Sequence, residues 1–88
     1  RSSDLLAKTF VFPDDEKEFV DRQEKFEDVL AFSMQAEKDS IMFYTELAIL
    51  SSNQEAVKLF RGLAAEEKKH LIKLQELAKL VEERGIYY

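Results

Sequence analysis

The stretch that decides the fold is Leu63-Ala64-Ala65-Glu66-Glu67-Lys68-Lys69-His70, which contains the only histidine of the chain. Because positions i and i+3 lie on one face of a helix, Glu67 and His70 can reach a common point. A carboxylate and an imidazole at this spacing form half of a carboxylate-rich metal site inside a helical bundle. The stretch therefore predicts a helix. The surrounding residues decide whether its Glu67–His70 pair faces water, a packed core or a metal.

The surrounding residues predict a long amphipathic helix over residues 53–84. When each residue advances about 100° around the helix, one apolar face lies within about 60° of Glu67. That face comprises Ala56, Phe60, Leu63, Ala64, His70, Leu71, Leu74, Ala78 and Val81. Ser52, followed three residues later by Glu55, predicts an N-terminal capping box. Gly85, after Arg84, predicts the C-terminal end of this helix.

A second amphipathic helix is predicted over residues 25–50, with Glu37 at the centre of its apolar face. The other members of that face are Phe26, Leu30, Ser33, Met34, Ile41, Tyr44 and Ala48. Asp28, Lys38, Asp39 and Glu46 fall well away from it. Residues 51–53 interrupt the pattern, and so short a connection makes the two helices antiparallel neighbours.

The predicted fold class is all-α, with a lead-in over residues 1–24 and a helical hairpin over residues 25–84. Pro13 disfavours helix at Phe12, and Asp14 and Asp15 can cap a short helix at residues 14–23. This helix either bends near Gln23–Lys25 or runs on into the next one. Two amphipathic helices cannot bury both of their apolar faces alone. We therefore expect a four-helix bundle, completed either by dimerisation or by an N-terminal half missing from this sequence.

Composition excludes several classes of function. The chain has 88 residues, a net charge of −5 and no cysteine, so disulfides, thiolate zinc sites and iron–sulfur clusters within it are ruled out. Its basic residues form no stripe for nucleic-acid phosphates. No apolar run approaches the roughly 20 residues that span a membrane, and no signal peptide is visible. A cytoplasmic location is the resulting expectation.

The candidate metal ligands are Glu37, Glu67 and His70. Glu37 and Glu67 lie at similar distances from the turn, so an antiparallel hairpin brings them to the same height. An ionised carboxylate in an apolar face is costly unless it is paired or bound to a metal. The metal-free alternatives are a partly solvated Glu67–His70 pair and a Glu37 that is protonated or paired with lysine. Two such hairpins would supply four carboxylates and two imidazoles, a set that suits two iron or manganese ions.

Two segments, Ala36–Ala48 and Phe60–His70, resemble the rubrerythrin branch of the ferritin-like superfamily. The family pattern is a glutamate, then Phe-Tyr six and seven residues later, then Leu-Ala-x-x-Glu-x-x-His after a turn. The resemblance implies that Glu37, Glu67 and His70 are iron ligands and that Tyr44 neighbours the site. From its place on the apolar face alone, Tyr44 could equally be a core tyrosine with a hydrogen-bonded hydroxyl. Typical members carry the Glu…Glu-x-x-His set twice over four helices, whereas this chain shows it once and lacks the rubredoxin cysteines.

The resemblance implies a di-iron protein in which Fe(II) is oxidised by peroxide or oxygen, for peroxide defence or iron handling. Whether this amounts to peroxidase or ferroxidase catalysis stays open. The alternative is a structural helical hairpin that dimerises without metal. A third hypothesis is a domain that binds zinc or another divalent ion and catalyses no reaction. The expected partners are a second copy or a higher homo-oligomer and a small oxidant, with neither nucleic acid nor a membrane.

Overall fold

The computed structural model describes residues 16–85, which form two long antiparallel helices joined by a short loop. Helix α1 spans Glu16–Leu50 and helix α2 spans Gln54–Arg84. No strand occurs between residues 16 and 85. The predicted all-α helical hairpin is therefore confirmed.

Helix α1 begins further towards the N-terminus than the sequence predicts. It runs without a break from Glu16 through the residues near 24, where a lead-in was expected to give way to the hairpin. Two features support this continuity. Phe19 and Phe26 continue the apolar face of Glu37 at helical spacing, and Arg22 pairs with Glu18 at 2.9 Å one turn away. Residues 1–13 of the lead-in, with the proposed Asp14 and Asp15 cap, lie outside the described residues.

The start of α2 differs by one residue from the predicted capping box. Asn53, rather than Ser52, is the N-cap, and its Oδ1 accepts hydrogen bonds from the backbone N–H groups of Glu55 and Ala56 at 2.9 and 3.1 Å. The Ser51 hydroxyl accepts from the Asn53 N–H at 3.3 Å. Asparagine caps as well as serine does, so the helix begins at Gln54.

Gly85 ends α2 as predicted. Its φ of 63° and ψ of 34° place it in the left-handed region, and its N–H donates to the Val81 carbonyl at 3.0 Å. Only a residue without a Cβ adopts this conformation at little cost, so glycine is the natural stop.

The core between the helices is thin. Among residues 16–85, only Leu30, Ala48, Ala64 and Val81 are buried, and no large side chain is fully buried. The predicted inward faces are otherwise half-buried, whereas Asp28, Lys38, Asp39 and Glu46 are exposed as expected. Large apolar side chains such as Phe32 and Leu50, at 75% and 76% exposure, lie in the open. The hairpin thus has far more apolar surface than its two helices can cover.

Candidate metal centre

The hairpin brings Glu37 of α1 against Glu67 and His70 of α2. His70 Nδ1 lies 3.1 Å from Glu37 Oε2 and 3.9 Å from Glu67 Oε1. One potential ligand atom from each of the three residues lies within 4.8 Å of the other two. All three sequence-predicted ligands therefore converge on one point between the helices.

This convergence follows from the helical geometry. Glu67 and His70 are three residues apart and so share a face of α2. Glu37 faces them because the three-residue loop holds the helices antiparallel in a fixed register. The three side chains thus meet on regular helical backbone, which supports the cluster rigidly.

The two carboxylates are much less exposed than the imidazole. The side chains of Glu37 and Glu67 are 18% and 22% exposed, whereas that of His70 is 54% exposed. The imidazole thus lies at the open edge of the cluster, with its Nδ1 turned towards both carboxylates. This exposure is the one departure from the predicted inward face of α2.

The pKa of Glu67 is raised above the ordinary glutamate value. The largest cause is the side-chain hydrogen bond with Glu37, followed by burial and by the charge of the Glu37 carboxylate, while His70 opposes the rise. Two carboxylates this close cannot both ionise comfortably unless a cation compensates them. The cluster therefore holds a proton, or a metal, more readily than an exposed glutamate pair would.

The donor set fits a first-row transition metal. Two carboxylate oxygens and one imidazole nitrogen are ligands that iron, manganese and zinc accept. Bringing them to bonding distance requires only small side-chain movements from their present spacing of under 5 Å. Three donors leave coordination positions open to further ligands or substrate.

The flanking residues separate into distinct roles. Glu66 is exposed and its carboxylate lies 3.2 Å from the Lys69 ammonium. It therefore faces solvent, as its position about 100° from Glu67 around the helix predicts. Tyr44 is half-buried, and its ring centroid lies 5.5 Å from that of Phe43. Its role beside the metal site stays a prediction. The sequence did not predict a groove on the side of the hairpin away from His70. Thr45, Ile49, Arg61 and Lys68 are among the residues that line it.

No helix within residues 16–85 is long and apolar enough to cross a lipid bilayer.

Comparison with known proteins agrees with the geometry. The rubrerythrin family profile matches residues 1–78, which is most of the chain and includes all three clustered side chains. No curated protein and no solved structure is significantly similar to the chain. The family match and the all-α hairpin with its Glu/Glu/His cluster lead to the same assignment. This chain belongs to the rubrerythrin family of ferritin-like di-iron proteins.

Proposed function

We propose that the chain binds iron through Glu37, Glu67 and His70 and supports the oxidation of Fe(II) by peroxide or oxygen. The observation that carries the proposal is the pair of shielded carboxylates, which face each other and an imidazole inside an otherwise apolar interface. Such a pair is unfavourable in an empty hairpin and is what a divalent cation would stabilise. The rubrerythrin match supports iron over other metals; manganese and zinc remain alternatives.

Each residue has a distinct task in this proposal. Glu37 and Glu67 would hold the metal, because each offers carboxylate oxygens from a different helix. His70 would supply nitrogen from the open edge of the cluster. Bound iron supplies one-electron redox chemistry with a peroxide or oxygen co-substrate. Glu37 and Glu67 are only 18% and 22% exposed, and this partial shielding from water strengthens the electrostatic attraction between the carboxylates and a cation.

The test is an anaerobic titration of the full chain with Fe(II), followed by a count of bound iron. Admission of oxygen, or of peroxide in a parallel sample, should then give the near-ultraviolet absorbance of a ferric carboxylate centre. Protein that retains no iron after desalting, and whose melting temperature does not change with Fe(II), would overturn the proposal.

Two adjacent glutamates provide a matched pair of variants. Glu67→Gln removes a proposed ligand, and we expect iron affinity to fall by more than the roughly 10-fold to 100-fold typical of changes next to a ligand. Glu66→Gln removes the same charge one residue away, where the side chain faces solvent and Lys69, and should bind iron normally. Equal loss in both variants would indicate a general charge effect.

The metal-free hairpin predicts a different pattern. In that reading, the Glu37–His70 contact and the Glu37–Glu67 hydrogen bond are a polar network whose two carboxylates are largely shielded from solvent. Glu37→Leu would then be neutral or stabilising, and the wild-type protein would show no iron uptake. The metal count therefore decides between the two readings, since stability alone can rise in both.

A further inference from the structure

A concave groove runs between the helices on the side of the hairpin opposite the open edge of the metal centre. Its volume of about 370 Å³ lies within the roughly 300 to 1,000 Å³ of small-molecule sites. The buried Ala48 and Ala64 lie at its base. The exposed side chains of Ile49, Arg61 and Lys68 lie along its rim. This surface, hereafter the cationic groove, has the size and shape of a ligand site.

The two cations of the groove have no acidic partner among residues 16–85. Neither Arg61 nor Lys68 forms an ion pair there, whereas the neighbouring Lys69 pairs with Glu66 at 3.2 Å. No aspartate or glutamate of the described helices lines the groove. In a chain with a net charge of −5, this is a local reversal of sign. Such a positive field in a cleft raises the local concentration of anions.

The positive sign extends to the α1 side of the groove. Lys38 lies about 100° around α1 from Glu37, in the same rotational sense as the groove residue Thr45. In an antiparallel pair this sense leads to the same side of both helices. Asp39 and Glu46 lie more than about 150° from Glu37 and so face away from the groove. The acids of this part of α1 therefore leave the two lining cations uncompensated.

The part of the groove between the two cations is open. Arg61 and Lys68 are seven residues apart, which is about 10 Å along α2. By helical phase, only Ala64 and Ala65 lie between them on this side of the helix. Because both alanines are small, the long side chains of Arg61 and Lys68 can lean over them from either end. One anionic group above the alanines is therefore within reach of both cations.

The end of the groove nearer the loop is apolar. Thr45 and Ile49 lie eight and twelve residues closer to the loop than Glu37, so Thr45 is level with Arg61 and Ile49 lies beyond it. The Thr45 hydroxyl is a hydrogen-bond donor beside the cations. Ile49 is 68% exposed and, with Ala48, provides an apolar surface. The groove thus changes from charged to apolar along its length.

We infer that the cationic groove binds a small amphipathic anion, of the class of single-chain carboxylates. The carboxylate lies between Arg61 and Lys68, where a guanidinium fork and an ammonium both favour it. The chain runs past Ala48 towards Ile49, and each methylene group that leaves water strengthens binding about 4-fold. The site is separate from the proposed iron centre, since none of the three clustered ligands lines the groove.

The shape of the groove favours a free molecule over a lipid surface. Ala48 and Ala64, at its base, are only 9% and 6% exposed. A bilayer lies flat across the rim and does not reach them, whereas a single extended chain is narrow enough to enter. Apolar contact with the base is therefore available to a free carboxylate alone.

The ligand test is calorimetric titration of the metal-free full chain with octanoate, acetate and octanol. Octanoate should bind once per chain. Acetate, which has the head without the chain, should bind at least about 10-fold more weakly. Octanol, which has the chain without the charge, should bind about 5-fold more weakly. No saturable octanoate binding, or octanol binding as tight as that of octanoate, would overturn the inference.

A matched pair of double variants locates the carboxylate. Arg61→Gln with Lys68→Gln removes the groove cations and should weaken octanoate binding at least about 5-fold. Lys58→Gln with Lys69→Gln removes the same charge from exposed positions that face away from the groove, and should bind as the wild type does. Circular dichroism checks that both proteins keep their helices. Equal weakening in both would show a general charge effect and overturn the inference.

A second pair of variants tests the groove itself without changing charge. Ala65→Leu narrows it and should abolish octanoate binding. Leucine is a good helix former, and Ala65 is exposed, so the helix should persist. Ala31→Leu makes the same change at an exposed position about 20 Å from Thr45 along α1, and should leave binding intact. Unchanged binding in Ala65→Leu would place the ligand elsewhere and contradict the inference.

Two further outcomes separate this inference from its alternatives. Because the protein is metal-free, loss of octanoate binding in Glu67→Gln, with normal binding in the Arg61 and Lys68 double variant, would place the carboxylate at the metal centre and overturn the inference. Phosphatidylserine vesicles that sediment with the wild type but not with that double variant, in a chain that binds no octanoate, would make this side a lipid surface instead. Failure of octanoate binding in all proteins leaves the iron proposal intact.

Discussion

At the scale of single residues, position decides what each glutamate does. Glu66 and Glu67 are adjacent and chemically identical, but helical rotation points the first to solvent and Lys69. It points the second to Glu37, where the pKa of Glu67 rises because the two carboxyl groups share a hydrogen bond and a sheltered site. A shielded like-charged pair is therefore the physical signature of the centre.

Glu67→Gln should raise the melting temperature of the metal-free protein at neutral pH. The amide keeps hydrogen-bonding capacity towards Glu37 and cannot ionise, so the repulsion between two carboxylates at positions 37 and 67 is removed. Differential scanning fluorimetry after chelation measures the effect, with Glu66→Gln as the control that should change little. A lower melting temperature for Glu67→Gln than for Glu66→Gln would show that the Glu67 carboxylate stabilises the empty hairpin.

The raised pKa of Glu67 also predicts how stability depends on pH. Its folded-state pKa lies above the unfolded value near 4.3, so between the two the folded chain holds a proton that the unfolded chain has released. The contribution of Glu67 to the stability of the metal-free protein is therefore complete below about pH 4 and declines as pH rises through the raised pKa. Thermal melts across this range, compared with Glu67→Gln, measure the difference.

Metal binding should show the opposite dependence on pH. A metal competes with the proton held between Glu37 and Glu67, so affinity should increase as pH rises through the raised pKa of Glu67. Zn(II), which does not change oxidation state, can be titrated at several pH values by calorimetry, with proton release measured in two buffers. Affinity that is flat over this window would contradict the assignment of Glu67 as a ligand.

At the scale of the helices, the α2 cap offers a direct test of the difference between sequence and structure. Asn53→Ala removes the acceptor of two backbone hydrogen bonds and should lower the free energy of unfolding by about 1 kcal/mol. Ser52→Ala should have little effect, because Ser52 is exposed and is not the cap. Chemical denaturation measures both. The reverse ranking would support the capping box predicted from Ser52 and Glu55.

The helices and their inward faces could be predicted from the sequence because 3.6-residue periodicity reports burial directly. Glu37, Glu67 and His70 follow from that phase together with equal distances from the turn. The helix starts were less predictable. Asn53 and Ser52 are comparable caps one residue apart, and nothing near residue 24 is a strong enough breaker to end α1, since the segment contains neither glycine nor proline.

At the scale of the whole molecule, the hairpin is an incomplete core. Its inward faces could be read from the sequence, but the exposure of His70 and of the large apolar residues on the outer side of α1 could not, because periodicity does not say how many helices surround each face. Phe32, Phe43 and Leu50 have the composition of core residues and the exposure of surface residues. We therefore expect such a chain to gain its remaining burial by association.

The melting temperature should therefore depend on protein concentration. When folding is coupled to dimerisation, mass action favours the folded state as concentration rises. We expect the wild-type melting temperature to increase steadily between micromolar and near-millimolar protein, and to increase further with Fe(II) under nitrogen. Phe43 lies with Phe32 and Leu50 on one exposed apolar side of α1, so Phe43→Glu should lose the concentration dependence. Met42→Glu, about 100° further around the helix, should keep it. A wild-type melting temperature that is independent of concentration would mean that the two helices are stable alone, and that the exposed apolar side of α1 contributes nothing to folding.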